Sequence, residues 1–387
     1  MVNFEFLCPT KIVFGKGTEK KTGELTKQYS DKVLLHYGGS SIKKFGIYDK
    51  VVKSLHEAGI DFVELGGVIP NPRLSLVREG IQICREQNIK FILVIGGGSV
   101  IDSAKSISIG VPYKGDVWDF YTNKATVKEA IGIGVVLTIP GAGSEASDGS
   151  VITNEEIHYK RSANSFFNIP KFAIMNPEFT VTVPKYLTAC GAADIMSHVF
   201  ERYFTQVQNV DFTDRLCEAV MKTIIVNLPI VLREPNNYDA RAEIMWANTV
   251  AHNELLTTGR IGDWGSHMIE HEVSAIYDVA HGAGLTVVFP AWMKYVYKHD
   301  INRFVQFAIR VWNVDLSFGS LDAIALEGIR RMEKFFKDCE LPVRLGEMNV
   351  PNKNLEKMAE KAVEFGEIGN FVKLGESDVL NILKLAL

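Results

Sequence analysis

Short apolar runs rich in branched residues punctuate the first half of the chain. "KVLLHYG" (32–38), "DFVELGG" (61–67), "KFILVIGGG" (90–98) and "GVVLTIPG" (134–141) predict buried strands. Between them lie stretches such as "SLVREGIQICREQN" (75–88), whose apolar residues recur at helical spacing. Strands alternating with amphipathic helices imply a largely parallel sheet covered on both faces. From "PKYLTACGAADIMSHVFERYF" (184–204) onward the period is helical for long stretches. Pro177 and Pro184, which flank "EFTVTV", predict a hinge. The expected architecture is therefore an α/β domain over 1–182, with a mostly parallel sheet, followed by an all-α domain over 183–387.

Two glycine-rich turns follow predicted strands. "FILVIGGGSVIDSAK" (91–105) runs from a buried strand through Gly96, Gly97 and Gly98 into a helix carrying Asp102 and Lys105, with Ser99 as a candidate cap. Glycines let the backbone approach a phosphate closely, and a helix N-terminus points its N–H groups and positive dipole end at an anion. "LTIPGAGSEAS" (137–147) also follows a strand and is placed to close over the same ligand. Together they favour a nucleotide over a plain tight turn and make 1–182 a dinucleotide-binding domain. In "LLHYGGSSIKK" (34–44) no acid follows the first of these strands. Gly38, Gly39, Ser40 and one of Lys43 or Lys44 are thus expected to accommodate a 2′-phosphate, so that NADP(H) is preferred over NAD(H).

The second half carries a different chemistry. Residues four apart share a helix face. "DIMSH" pairs Asp194 with His198 in this way, and "HMIEH" pairs His267 with His271; His281 follows ten residues later. A lone helical histidine is usually a satisfied side chain. Two such pairs and a further imidazole, in a chain with only nine histidines, favour a divalent metal held by 183–387. A mixed nitrogen and oxygen set suits iron or zinc rather than calcium or magnesium. Five candidates exceed the three or four protein ligands of a catalytic site, and spacing does not choose among them.

Composition narrows the class. A formal net charge of -4 excludes an electrostatic case for nucleic acid or an anionic membrane. No apolar run reaches the roughly 18 residues of a membrane span, and the N-terminus lacks the pattern of a signal peptide. Five scattered cysteines, none in CxxC spacing, predict free thiols in a reducing cytoplasm.

"FGKG" (14–17), "PNP" (70–72), "GGGSVIDSAK" (96–105), "GSE" (143–145), "DIMSH" (194–198), "HMIEHEVSA" (267–275) and "HG" (281–282) lie in an order that spans nearly the whole chain. The set resembles the iron-containing alcohol dehydrogenases, in their butanol dehydrogenase branch. That resemblance implies metal ligation by Asp194, His198, His267 and His281, with His271 beside the metal rather than on it. It implies coenzyme contacts from Asn71, Ser99, Asp102, Thr138, Gly141 and Ser144 as well as the glycines, and from Lys160 near the nicotinamide ribose. One departure is Ala142, where the family usually carries threonine.

The expected activity is NAD(P)(H)-linked interconversion of short-chain primary alcohols and aldehydes such as butanol and butanal, with His271 at the end of a proton relay. A homo-oligomer, a dimer, is expected. Trp264, Leu255 and Leu256 are candidate pocket residues or core. A glycerol or polyol dehydrogenase of the same superfamily would keep the fold and change the substrate. A metal-dependent hydrolase would not need the glycine turns, and a non-catalytic metal binder would need no coenzyme.

Overall fold

The computed structural model describes residues 1–387. Eight strands form: β1 (Lys11–Phe14), β2 (Lys32–Tyr37), β3 (Asp61–Leu65), β4 (Phe91–Gly96), β5 (Gly132–Leu137), β6 (Gly149–Asn154), β7 (Tyr159–Asn164) and β8 (Phe172–Met175). Five of the helices matter most below: α1 (Gly98–Gly110), α2 (Lys185–Tyr203), α3 (Tyr238–His252), α4 (Gly265–Tyr277) and α5 (His281–Val296). The four strands expected from apolar runs are β2 to β5. β1 and β8 are four-residue strands, too short for alternation to mark them.

Six strands make one sheet in the order β1-β8-β5-β4-β2-β3, every pairing parallel. β6 and β7 form a separate antiparallel hairpin. All six residues of β4 are buried. Ile92 and Val94 face one apolar layer with Leu34, Val135 and Ala173. Phe91, Leu93 and Ile95 face the other with Val33, Val136 and Ile174. A strand buried on both faces is apolar throughout, and each such side chain stabilises by about 1.5–3 kcal/mol.

The chain leaves β2 for β3 on one side and returns to β4 on the other. That reversal is the switch point at which open α/β sheets bind ligands, beyond the carboxyl ends of the strands. Tyr37 pairs with Ile95, and Gly96 with Leu137. The chain beyond β2, β4 and β5, where residues 38–40, 96–99 and 138–144 follow, therefore emerges from three adjacent strands at one edge.

The molecule divides into two compact units, residues 7–183 with 235–253, and residues 1–6, 184–234 and 254–387. α3, from the later half of the chain, belongs to the α/β unit. The other unit is helical, with an aromatic core. Phe204 lies 4.6 Å, centroid to centroid, from Phe304 and 5.5 Å from Trp292. No helix is long and apolar enough to cross a membrane.

Candidate active site

Within the helical unit, α2, α4 and α5 bring the predicted metal ligands together. One donor atom each from Asp194, His267 and His281 lies within 4.8 Å of the other two. His198 stands just outside that group of three. Its Nδ1 is 3.4 Å from Asp194 Oδ1, and its ring is 4.9 Å from that of His267. Asp194, His198 and His267 are buried, whereas the His281 side chain is 26% exposed, which leaves one side of the cluster open to a small molecule.

A close helix approach makes this possible. A Cβ on Gly282 would stand 2.0 Å from the Cys190 carbonyl oxygen, so only glycine lets the start of α5 rest on α2. His281 Nε2 is thereby set 3.8 Å from Asp194 Oδ1. Gly284 has the same role against Glu270, whose Oε1 would lie 2.5 Å from an added Cβ.

Two buried carboxylates aim the imidazoles. Glu201 Oε1 accepts from His267 Nδ1 at 2.6 Å and from its backbone N–H at 3.0 Å. Glu201 Oε2 accepts from the backbone N–H of Trp264 at 2.5 Å. One side chain thus caps the N-terminus of α4 and selects a tautomer. An ionised carboxylate accepts, so Nδ1 carries the proton and the lone pair sits on Nε2. That Nε2 is buried without a hydrogen-bond partner, as a metal ligand requires. Glu270, wholly buried, accepts from His281 Nδ1 and from the Ser274 hydroxyl. Neutral imidazoles with a carboxylate therefore fit a divalent ion such as iron or zinc.

His271 shares a helix face with His267, yet its ring packs 5.6 Å from that of His281. The order across the site is His198, His267, His281, His271, with centroid spacings of 4.9, 5.4 and 5.6 Å. Trp264, held at φ 67°, places its ring 5.3 Å from His267, with Arg202 4.9 Å above it. It lines the site rather than the core. Leu256 is fully buried and belongs to the packing.

The α/β unit gathers the predicted coenzyme residues. A Cβ on Gly97 would meet Ile139 at 2.1 Å, and one on Gly98 would meet the Ala142 Cβ at 2.6 Å. The two glycine turns are in contact. α1 starts at Gly98 with Gly97 as its N-cap, so Ser99 lies inside the first turn and does not cap. Three consecutive glycines let the helix begin earlier than the serine suggested. Asp102 accepts from the Ser144 hydroxyl at 2.7 Å and from the Val151 N–H at 3.0 Å, bracing the second turn and the β6–β7 hairpin. Lys160, buried on β7, acts electrostatically on Asp102. Lys105 turns inward to the Ser147 and Gly149 carbonyls, both at 2.8 Å, and burial lowers it to about 8. Asn71 is buried at φ 53° in the loop after β3.

Beyond β2, Gly38, Gly39 and Ser40 lead into a short helix, 41–44, and nothing lies within 4 Å of a Cβ placed on Gly39. The turn itself carries no acid, but β3 supplies one. Glu64 pairs with Lys43 at 3.2 Å and accepts from the hydroxyls of Tyr37 at 2.5 Å and Tyr48 at 2.6 Å.

Glu201, Glu270 and Glu64 escaped the sequence analysis. Helical spacing carried a signal for two of them. Glu201 is seven residues after Asp194 and three after His198, and Glu270 is three after His267. Nothing local marked Glu64.

A dinucleotide-type sheet edge, and an imidazole–carboxylate cluster built for a divalent ion, define a metal-assisted, nicotinamide-linked oxidoreductase. Comparison with known proteins agrees. Residues 9–177 match the family model "Iron-containing alcohol dehydrogenase", and 188–387 match "Fe-containing alcohol dehydrogenase family, C-terminal". The chain is 44% identical over 387 residues to the probable NADH-dependent butanol dehydrogenase 1 of Bacillus subtilis, covering 100% of both. It is 35% identical over 383 residues to the NADPH-dependent aldehyde reductase YqhD of Escherichia coli, covering 97% of this chain and 96% of that one. The solved structure of an NADH-dependent butanol dehydrogenase A from Thermotoga maritima superposes with a TM-score of 0.96 at 39% identity, covering 99% and 98% of the two chains. The protein belongs to the iron-containing alcohol dehydrogenase family.

Proposed function

We propose that this protein interconverts short-chain primary alcohols and aldehydes such as butanol and butanal, with Asp194, His198, His267 and His281 as metal ligands. The supporting observation is the meeting of the Asp194, His267 and His281 donor atoms within 4.8 Å, with the His267 Nε2 lone pair left for a ligand. A divalent ion held there would supply Lewis acidity to the substrate oxygen, and a bound nicotinamide coenzyme would supply or accept the hydride. The protein's own groups orient and exclude. Glu201 and Glu270 hold the imidazoles, and Trp264 walls the pocket. His271, outside the group of three and beside His281, carries a proton to or from the reacting oxygen.

For the coenzyme, Gly38, Gly39 and Ser40 offer an uncharged cradle with Lys43 close behind, and Glu64 is charge-compensated by Lys43. These features support NADP(H) over NAD(H). The names of the relatives include both coenzymes. The other coenzyme contacts are Asn71, Gly96, Gly97, Gly98, Ser99, Thr138, Gly141, Ser144 and Lys160, with Asp102 behind them. A homodimer completes the reading, and five free cysteines support a reducing cytoplasm.

The test is butanal reduction followed near 340 nm with NADPH and with NADH, before and after chelation. Turnover that is lost on chelation and restored by iron or zinc is expected, with the higher kcat/KM for NADPH. Metal-independent turnover would sink the metal assignment. The variant Gly39→Asp has room for its side chain, and its charge should reverse the preference by repelling a 2′-phosphate.

A further inference from the structure

The second glycine turn is not self-supporting. Gly143 sits at φ 63°, and an added Cβ would strike His252 Cβ at 2.5 Å and the Asn248 carbonyl at 3.0 Å, so the turn lies directly on α3. Asn248 Oδ1 accepts from the Gly141 N–H at 2.7 Å and the Gly143 N–H at 3.0 Å. Its Nδ2 donates to Glu145 Oε1 at 2.9 Å, which also accepts from the Thr249 hydroxyl at 2.6 Å. Glu145 is fully buried, and its Oε2 has no hydrogen-bond partner. The network admits one carboxamide orientation. The reverse would face the amide NH2 with two N–H donors and the carbonyl oxygen with a carboxylate.

Two backbone donors of this turn are therefore spent on the protein itself. Gly141 and Gly143 do not offer their N–H groups to a phosphate. What the turn presents is its backbone surface from Thr138 to Ser144, set against Gly97 and Gly98 by contact and against Asp102 by the Ser144 bond.

We infer that Asn248, backed by Glu145, is a positioning residue for the coenzyme. Its carboxamide locks the 141–145 turn at the height that makes the sheet edge complementary to a dinucleotide, without touching the ligand. The inference rests on the dinucleotide reading above. Without this clamp the half-buried Gly141 and buried Gly143 donors lose their acceptor and the turn moves. A residue a hundred positions away along the chain thus sets coenzyme affinity.

Asn248→Asp and Asn248→Asp with Glu145→Gln form the test, with NADPH and NADH binding measured by nucleotide fluorescence. Thermal melting and metal content are checked alongside. Asn248→Asp keeps the acceptor for the two N–H groups but sets two carboxyls 2.9 Å apart. Those carboxyls repel when both are ionised and bond when they share a proton. Relative to the parent at the same pH, coenzyme affinity should fall about tenfold or more at pH 8 and recover toward pH 5. In the double variant the carboxamide introduced by Glu145→Gln supplies the missing donor, so parent affinity should return at both pH values. A folded Asn248→Asp protein with parent affinity at pH 8 overturns the inference. So does a folded double variant that binds weakly, a measurement that decides even if the single variant fails to fold. A parent protein that binds neither nucleotide overturns the dinucleotide reading as well.

Discussion

Individual side chains in the helical unit have separable duties. Glu201 makes no direct claim on a metal, yet it fixes the His267 tautomer and caps α4 at the same time. Glu201→Gln should keep the fold and weaken metal binding by about 10–100-fold, the usual cost of losing an orienting partner. Competition against a chelator of known affinity measures this, and unchanged affinity would show that the ring is held by packing alone. His271 separates from His267 by its neighbour, since it packs on His281. His271→Ala should retain its metal and lose about 10²–10⁴-fold in rate, with the neutral limb of the pH–rate profile altered. Loss of metal would make His271 a ligand, and an unaltered profile would make it scaffolding. The histidine spacing was legible in the sequence because the 3.6-residue period places Asp194 with His198, and His267 with His271, on single faces. The same period held a signal for Glu201 and Glu270, which follow the proposed ligands at helical intervals but were not singled out. His271's partner was not legible, because which ring lies opposite a helix face depends on the neighbouring helix.

Among the elements, the contact of α2 with α5 is an exacting one. The Gly282 Cα faces the Cys190 carbonyl with no space for a methyl group, and backbone does not yield as a long side chain does. Gly282→Ala should cost at least about 1–3 kcal/mol of stability. It should also lower metal affinity, because it moves His281 away from Asp194. Calorimetry with and without added metal separates the two effects, and a variant that melts and loads like the parent would disprove the close approach. In the α/β unit the elements β2 to β5 were plain from their apolar runs, since a strand covered on both faces has no polar side. β1, β8 and the β6–β7 hairpin escaped for the opposite reason. Four residues carry too little pattern, and the β7 run "YKRSAN" is polar at most positions.

For the molecule as a whole, His36 predicts how stability responds to acid. It is fully buried on β2, its Nδ1 donates to the Leu65 carbonyl at 2.8 Å, and its Nε2 accepts from the Ser103 hydroxyl at 2.9 Å. It ties β2 to β3 and α1 as a neutral ring, and burial lowers it from 6.5 to about 4. With a folded value below the unfolded one, the unfolded chain takes up the proton first. The contribution is complete above about pH 6.5 and is lost as pH falls toward 4. Urea midpoints across this window should decline less steeply for His36→Asn than for the parent, and parallel curves would refute the assignment. The sequence by itself determined an α/β half, a helical half, the glycine-rich strand ends and an imidazole-rich helix pair, because each is written in local period or composition. Only the tertiary structure decided that Glu64 sits on Lys43, that His271 faces His281, and that α3 joins the α/β unit so that Asn248 can grip the second glycine turn. Each of these joins residues far apart in the chain, and their meeting follows from how whole elements pack, which no short window of residues records.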